Sequence, residues 1–349
     1  MEKELLTIVV PAYNVGKYIE QCLNSLVNQT IQNHKVIIVD DGSTDVKTAE
    51  ISKKYAELYP DIISYLRQEN KGLGAARNTG LAQTQTRYIG FLDSDDWLTP
   101  DYIEVISKEL NDFESENIDI IFTLPIIYDS LTFQDNEWYD KRLFYDVFFS
   151  DNRIVSSSYD KRLFLLEPNA CRRIYRTDFL REYKFTFPIG VKWEDILPHF
   201  YLLYYAKACI GIDSVGFHYR TNTTGQITAQ AGQGRLDIVS VFQSVFAFAS
   251  TVNCEWDIIE IMINMLNRYA KWSLDMSNID IRPELVKRLS VLYKTLPRQY
   301  WKRYFRTRKK YKKERLFVKI LLSKYPQLLN DYLPAEISML TVNRLLRRV

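Results

Sequence analysis

Four polar stretches of this chain carry residue types at spacings that can do chemistry. VVPAYN (Val9–Asn14) is followed by VDDGSTD (Val39–Asp45), so Asp40 and Asp41 close an apolar run just before a glycine turn. Carboxylates in a crevice lined by backbone N–H groups can accept from a base N–H or from ribose hydroxyls. The plainer reading is a turn at Asp41-Gly42, with Ser43 or Thr44 capping a helix. NKGLGAARNTG (Asn70–Gly80) opens a helix at Gly72, with Lys71 and Arg77 as cationic donors, and a helix N-terminus attracts phosphate. A tight loop gives the same letters. The spacing is neither GxGxxG nor a P-loop, which argues against a dinucleotide enzyme or an NTPase. FLDSDDW (Phe91–Trp97) sets Asp93 and Asp95 two apart, so an extended chain turns both to one side. Adjacent carboxylates repel, and Mn²⁺ or Mg²⁺ relieves that repulsion and can bridge to a diphosphate; the alternative is a solvated acidic loop. KWED (Lys192–Asp195) precedes an apolar stretch. Its carboxylates suit either a general base or the stabilisation of a helix start. His218 and Arg220 follow in FHYR, where a lone histidine is more often structural than a ligand.

The elements that must position these motifs alternate over the first 125 residues. Leu5–Val10, Val36–Val39, Ile62–Leu66, Tyr88–Leu92 and Ile118–Leu124 are strand-like runs. Tyr18–Leu26, Ile51–Leu58 and Leu73–Ala82 carry helical spacing, and Thr99-Pro100 suggests a further helix start. Continuous apolar strands between amphipathic helices predict an α/β fold whose mostly parallel sheet is covered on both faces. The polar motifs fall at the C-terminal ends of strands, where such sheets bind ligands. Residues 129–219 are less regular and rich in aromatics. Beyond 234 only helical patterns appear, at 236–252, 258–274 and in several shorter pieces between 283 and 346. The expected division is a catalytic domain over 1–228 and an all-helical C-terminal domain over 229–349.

The 349 residues are 46% hydrophobic and 26% charged, which excludes disorder, collagen-like repeats and a disulfide mini-scaffold. No run of about 18 apolar residues suggests a spanning helix. The first residues, MEKELL, are acidic where a signal peptide is basic, so the chain is read as unexported. Cys22, Cys171, Cys209 and Cys254 lie far apart without a CxxC pair, which fits reduced thiols better than a disulfide frame or a zinc site. Charge is unevenly spread. Residues 1–281 hold 27 Lys+Arg against 39 Asp+Glu, and residues 282–349 hold 19 against 4. The basic end includes RQYWKRYFRTRKKYKKER (Arg298–Arg315). Such a segment suits an anionic membrane surface or a solvated or inter-subunit face, with nucleic acid the weakest reading.

VVPAYN, VDDGSTD, NKGLGAARNTG, DSDD and a later ED, in this order, closely resemble bacterial family-2 glycosyltransferases with the GT-A fold. The resemblance covers about residues 5–220. It implies that Asp41 contacts the nucleotide base with Asp40 nearby, and that Pro11, Tyr13 and Asn14 line the nucleotide pocket. Lys71, Gly72 and Arg77 would sit by the base or diphosphate. Asp93 and Asp95 match the DXD pair around Ser94, with Asp95 the more direct metal ligand. Asp195 matches the catalytic base and Glu194 its neighbour, while His218 and Arg220 join the donor-side candidates. NACRRIYRTDFL (Asn169–Leu180) resembles the segment that precedes the acceptor site.

The resemblance implies a metal-dependent inverting enzyme, using Mn²⁺ or Mg²⁺, that moves one hexose or N-acetylhexosamine from a UDP-sugar. The acceptor would be a hydroxyl on a glycan, a lipid-linked sugar or a glycoprotein. The chain lacks the QxxRW motif and membrane spans of processive synthases, so single transfers in surface polysaccharide or glycoprotein assembly are expected. Two rivals are a non-catalytic sugar-binding scaffold and a nucleotidyltransferase. The first is disfavoured because both DXD carboxylates and the ED pair are present, the second because PAYN offers no glycine-rich loop. A cytoplasmic location, peripheral on the inner face of the cell membrane, and self-association are further expectations, with no nucleic-acid partner.

Overall fold

β1 (Leu6–Ala12) is buried at every position, as a strand covered by helices on both faces must be. In the computed structural model, which describes residues 5–113, 116–150, 152–223 and 230–331, β1 is followed by α1 (Ile19–Val27), β2 (His34–Asp40), α2 (Val46–Leu58), β3 (Ile63–Arg67), α3 (Leu73–Gln83) and β4 (Tyr88–Phe91). α1 buries Ile19, Cys22, Leu23 and Leu26, the one-face spacing of an amphipathic helix. β1 pairs in parallel with β2 and β4, and β2 with β3. The loops 13–18, 41–45 and 92–96 therefore leave the same ends of adjacent parallel strands.

Next come β5 (Trp97–Leu98), α4 (Tyr102–Asp112), β6 (Ile120–Asp129), β7 (Gln134–Glu137), α5 (Lys141–Phe148), β8 (Arg173–Arg176), α6 (Thr177–Glu182), α7 (Ile196–Tyr205) and β9 (Cys209–Thr221). The sheet runs β3-β2-β1-β4-β8-β6-β9-β5, with β7 on β6. β8 pairs antiparallel with both β4 and β6, β5 antiparallel with β9, and β6 parallel with β9. The sheet is thus parallel around β1 and mixed beyond β4. β8 reads RIYR and β9 alternates only in part, so neither announced itself in the irregular aromatic stretch. Thr99 does not cap α4. Its hydroxyl donates to the Val215 and Gly216 carbonyls, and the helix starts after Asp101.

Contacts divide the described residues into one unit of 5–190 and 198–223 and a second of 191–197 and 230–331. The second unit is helical: α8 (Asp237–Thr251), α9 (Trp256–Met276), α10 (Arg282–Thr295), α11 (Arg298–Thr307), α12 (Lys312–Leu322) and α13 (Leu328–Asp331). Asn267 of α9 ties three of these helices: its amide donates to the Tyr304 hydroxyl at 2.9 Å and its carbonyl accepts from Tyr293 at 2.6 Å. Trp301 stacks on Tyr293 and donates to its carbonyl. Trp301 and Tyr304, the central aromatics of the basic segment, therefore face inward, while Arg298, Lys302, Arg303 and Arg306 are exposed. Position 228 of the expected boundary and the helices expected beyond 331 lie outside the described residues.

Candidate active site

The loop after β2 is closed on itself. Asp40 is buried, with Oδ1 accepting from the Ser43 N–H at 2.8 Å and Oδ2 from Tyr65 at 2.7 Å and Arg67 at 2.6 Å. Burial alone would raise its carboxyl; the Ser43, Tyr65 and Arg67 donors outweigh that and hold it below the ordinary range. Asp41, also buried, accepts from Gln68 at 2.7 Å and from the backbone N–H groups of Lys71 at 3.0 Å and Gly72 at 2.8 Å. Asp41 so fastens the end of β2 to the start of α3. This needs two left-handed backbones, Gly42 at φ 71° and Gly72 at φ 89°, which only glycine adopts freely. A Cβ on Gly42 would also come within 2.8 Å of the Asn70 nitrogen. Three donors on a carboxylate with about four acceptor sites leave room for one more hydrogen bond from a ligand.

The β1 loop joins the same lattice. The Asn14 carbonyl oxygen accepts from the backbone N–H groups of Thr44 and Asp45, and Asp45 accepts in turn from the Gly16 N–H and the Thr48 hydroxyl. Asn14 thus fastens one loop to the other. Pro11 is buried in β1, while Tyr13 and Lys71 are exposed.

The loop after β4 is different. Residues 93–96 form a turn closed by the Asp96 N–H on the Asp93 carbonyl at 2.9 Å. The chain is not extended there, so the alternation expected of Asp93 and Asp95 does not apply. The turn instead brings Asp93 to Asp96: one ligand atom from each, with the Cys171 thiol, lies within 4.8 Å of the others. Asp93 also accepts from buried Arg77 at 2.8 Å, whose guanidinium lies over Phe187. Burial, then the charge of Asp93, pushes the Asp95 carboxyl up to about 6. Burial, then Asp95 and Asp93, raises buried Asp96 well above the ordinary range. Asp96 Oδ2 has no hydrogen-bond partner among the described residues. Crowded oxygens without sufficient donors fit a hard divalent cation. The soft Cys171 thiol does not add to that preference. Ser94 is buried within the same turn.

Arg220 holds this turn from β9. Its backbone N–H donates to Asp96 at 2.8 Å, its Nε to the Asp95 carbonyl at 2.6 Å, and a terminal nitrogen to Gln21 at 2.6 Å. The guanidinium is packed against the rings of Tyr18, Trp97 and Tyr128. His218 stacks flat on Trp97 at 4.5 Å, and burial lowers its pKa. Gln21, Tyr65, Arg67, Tyr128 and Asp96 are the partners that motif reading passed over. Of these, only Asp96 stood inside a motif.

Glu194 and Asp195 lie on 191–197, within the second unit. Glu194 is buried and Asp195 half-buried. The preceding Trp193 has φ 67°, an outlier for a bulky residue that only surrounding packing sustains. Trp193 packs against Trp272 at 5.0 Å, Arg235 lies over both rings, and the Lys192 N–H donates to Asp237 at 3.0 Å. The helical unit thereby fixes the backbone that carries Asp195.

The family model for glycosyl transferase family 2 matches residues 7–156. Those residues form a family 2 glycosyltransferase domain. The chain is 43% identical over 111 residues to glycosyltransferase GlyA of Streptococcus pneumoniae, covering 32% of this chain and 16% of that protein. It is 30% identical over 233 residues to the putative glycosyltransferase EpsH of Bacillus subtilis, covering 63% and 62%. It therefore spans less than two thirds of either relative. S. aureus TarS residues 1–349, solved in complex with UDP-GlcNAc, superpose with a TM-score of 0.74 at 20% identity, covering 93% of this chain and 89% of that one. That likeness is one of fold, and the fold is GT-A. In the family 2 domain the matched span contains both acidic loops, while Glu194 and Asp195 fall after it.

Proposed function

We propose that the chain is an inverting glycosyltransferase that moves one sugar from a UDP-sugar to an acceptor hydroxyl. The observation that carries this reading is the turn Asp93–Asp96, whose crowded carboxylates are short of donors at the end of a parallel strand. A divalent cation, Mn²⁺ or Mg²⁺, held by Asp93, Asp95 and Asp96 would supply positive charge against the leaving diphosphate. Asp41 accepts from the nucleotide base with its remaining lone pair. Arg77 orients Asp93 through their ion pair, and Arg220 keeps the turn in shape. Asp195, assigned by motif order, takes the proton from the acceptor hydroxyl as that oxygen attacks the anomeric carbon opposite the departing diphosphate. Attack from that face inverts the anomeric configuration.

The UDP-GlcNAc bound to TarS favours a UDP-N-acetylhexosamine donor here. The acceptor class is a glycan, lipid-linked or protein-linked, within polysaccharide or glycoprotein assembly. No helix among the described residues is long and apolar enough to cross a membrane. A cytoplasmic enzyme that meets its acceptor at the membrane's inner face is the proposed setting. The test is UDP release from a panel of nucleotide sugars with Mn²⁺, with and without candidate acceptors and EDTA. Release from UDP-sugars alone, abolished by EDTA, is the expected result. Release from no nucleotide sugar would return the chain to a binding role.

A further inference from the structure

The helical unit holds a cavity of about 540 Å³ where the α8–α9 turn meets the first turns of α11, within the roughly 300–1,000 Å³ of small-ligand sites. Asn253, Trp256, Pro297, Gln299, Tyr300 and Arg303 line it. Trp256 and Tyr300 meet edge to face, with centroids 6.0 Å apart. The Trp256 indole is held in orientation by its N–H donating to Glu260 at 2.9 Å. The Arg303 guanidinium lies over the Trp256 ring, 4.8 Å from its centroid. Arg308 pairs with Glu260, whereas Arg303 has no carboxylate partner among the described residues. The side-chain amides of Asn253 and Gln299 are likewise without a partner among those residues, and both side chains are exposed. Neither Glu255 nor Asp257, the acidic neighbours of Trp256 in sequence, lines the cavity.

We infer that this cavity binds a glycan segment carrying phosphate or carboxylate groups. Sugar C–H faces pack on aromatic rings, sugar hydroxyls exchange hydrogen bonds with amides that act as both donor and acceptor, and a guanidinium held over a ring presents its fork to an oxyanion. The surroundings select for charge. Arg298, Lys302 and Arg306 stand exposed on α11 beside Arg303, in the segment with 19 basic against 4 acidic residues. Such a field draws a polyanion and raises its rate of encounter.

Isothermal titration of the full chain tests this with four probes: a chondroitin sulfate hexasaccharide, neutral chitopentaose, inorganic polyphosphate and phosphatidylglycerol vesicles. The hexasaccharide should bind saturably and more tightly than the neutral sugar or polyphosphate. Loss of one charge-assisted hydrogen bond weakens binding by roughly tenfold or more, so Arg303→Gln should weaken it by that factor. Trp256→Ala should do the same, and Gln299→Ala, at an exposed position, should weaken it less. UDP affinity of all three should match the wild type, which separates failure here from failure of the donor reading. The proposal is overturned if the hexasaccharide shows no saturable binding, or if both Arg303→Gln and Gln299→Ala bind it like the wild type. It is also overturned if polyphosphate binds equally well. Dependence of vesicle binding alone on Trp256 and Arg303 would reassign the surface to a membrane.

Discussion

Asp40 and Asp96 are both buried carboxylates just past or at the end of a parallel strand, in loops of nearly the same letters, DDGST and DSDDW. Asp40 accepts from Ser43, Tyr65 and Arg67 and is held below the ordinary range. Asp96 accepts from the Arg220 N–H, has no partner for Oδ2 among the described residues and is raised well above it. The difference lies in the neighbours. β3 delivers Tyr65 and Arg67 to the first loop, whereas the second packs its own acids together over the buried Cys22 and Cys171. Acidic composition therefore says little about role. The first loop is a finished lattice that leaves one acceptor site for a ligand, and the second is short of positive charge.

The largest test of this contrast is Asp95→Ala. If the β4 loop seats a cation that supplies several kcal/mol to the leaving group, turnover should fall by about 10³-fold, since about 1.4 kcal/mol is a factor of ten. UDP release at saturating Mn²⁺ measures it, and near-wild-type turnover would make the loop merely acidic. Asp195→Asn, outside both loops, should cost at least about 10²-fold in transfer, the lower end for a general base. It should leave UDP affinity unchanged by the same titration. Unchanged transfer would move the base to Glu194 or elsewhere.

Cation binding should also register as stability. At a hundredfold excess over its Kd, Mn²⁺ should stabilise the fold by about 2.7 kcal/mol, seen as a thermal shift at pH 7.5. The shift should fade below about pH 6, where Asp95 takes up a proton. The sign reverses without metal. A carboxyl raised in the folded state binds its proton more tightly folded than unfolded, so the Asp95 contribution to metal-free stability, read as wild type minus Asp95→Asn, should fall as pH rises from about 4 to 6. A contribution that rises across that window would contradict the crowding of Asp93, Asp95 and Asp96. The smallest effect belongs to the finished lattice. Asp40→Asn leaves buried donors imperfectly met and should cost about 1–3 kcal/mol in urea unfolding, with the same loss whether or not Mn²⁺ is present.

The parallel half of the fold was legible because β1, β2 and β4 are continuous apolar runs between one-faced helices. The mixed half was not, since the short β8 carries two arginines and the long β9 alternates only in part. At the site, VDDGSTD and DSDD marked the right loops. Motif spacing treated Asp93 and Asp95 as an extended pair, but the chain turns there and brings Asp96 to Asp93 as well. Arg220, read as a donor-side group, clasps a loop more than 120 residues away in sequence, a relation only the sheet order creates. The basic segment carried its own clue: Trp301 and Tyr304, three apart on one helix, mark an inward stripe.

Mn²⁺ binding followed by electron paramagnetic resonance, in the presence of UDP, tests the contrast between the two loops most directly. The wild type and Asp40→Asn, both below their melting temperatures, should take up one Mn²⁺ per chain, and the Asp93→Asn, Asp95→Asn double variant should take up none. Retention of the bound Mn²⁺ by the double variant, or its loss in folded Asp40→Asn, would contradict the assignment of the β4 turn as the cation seat.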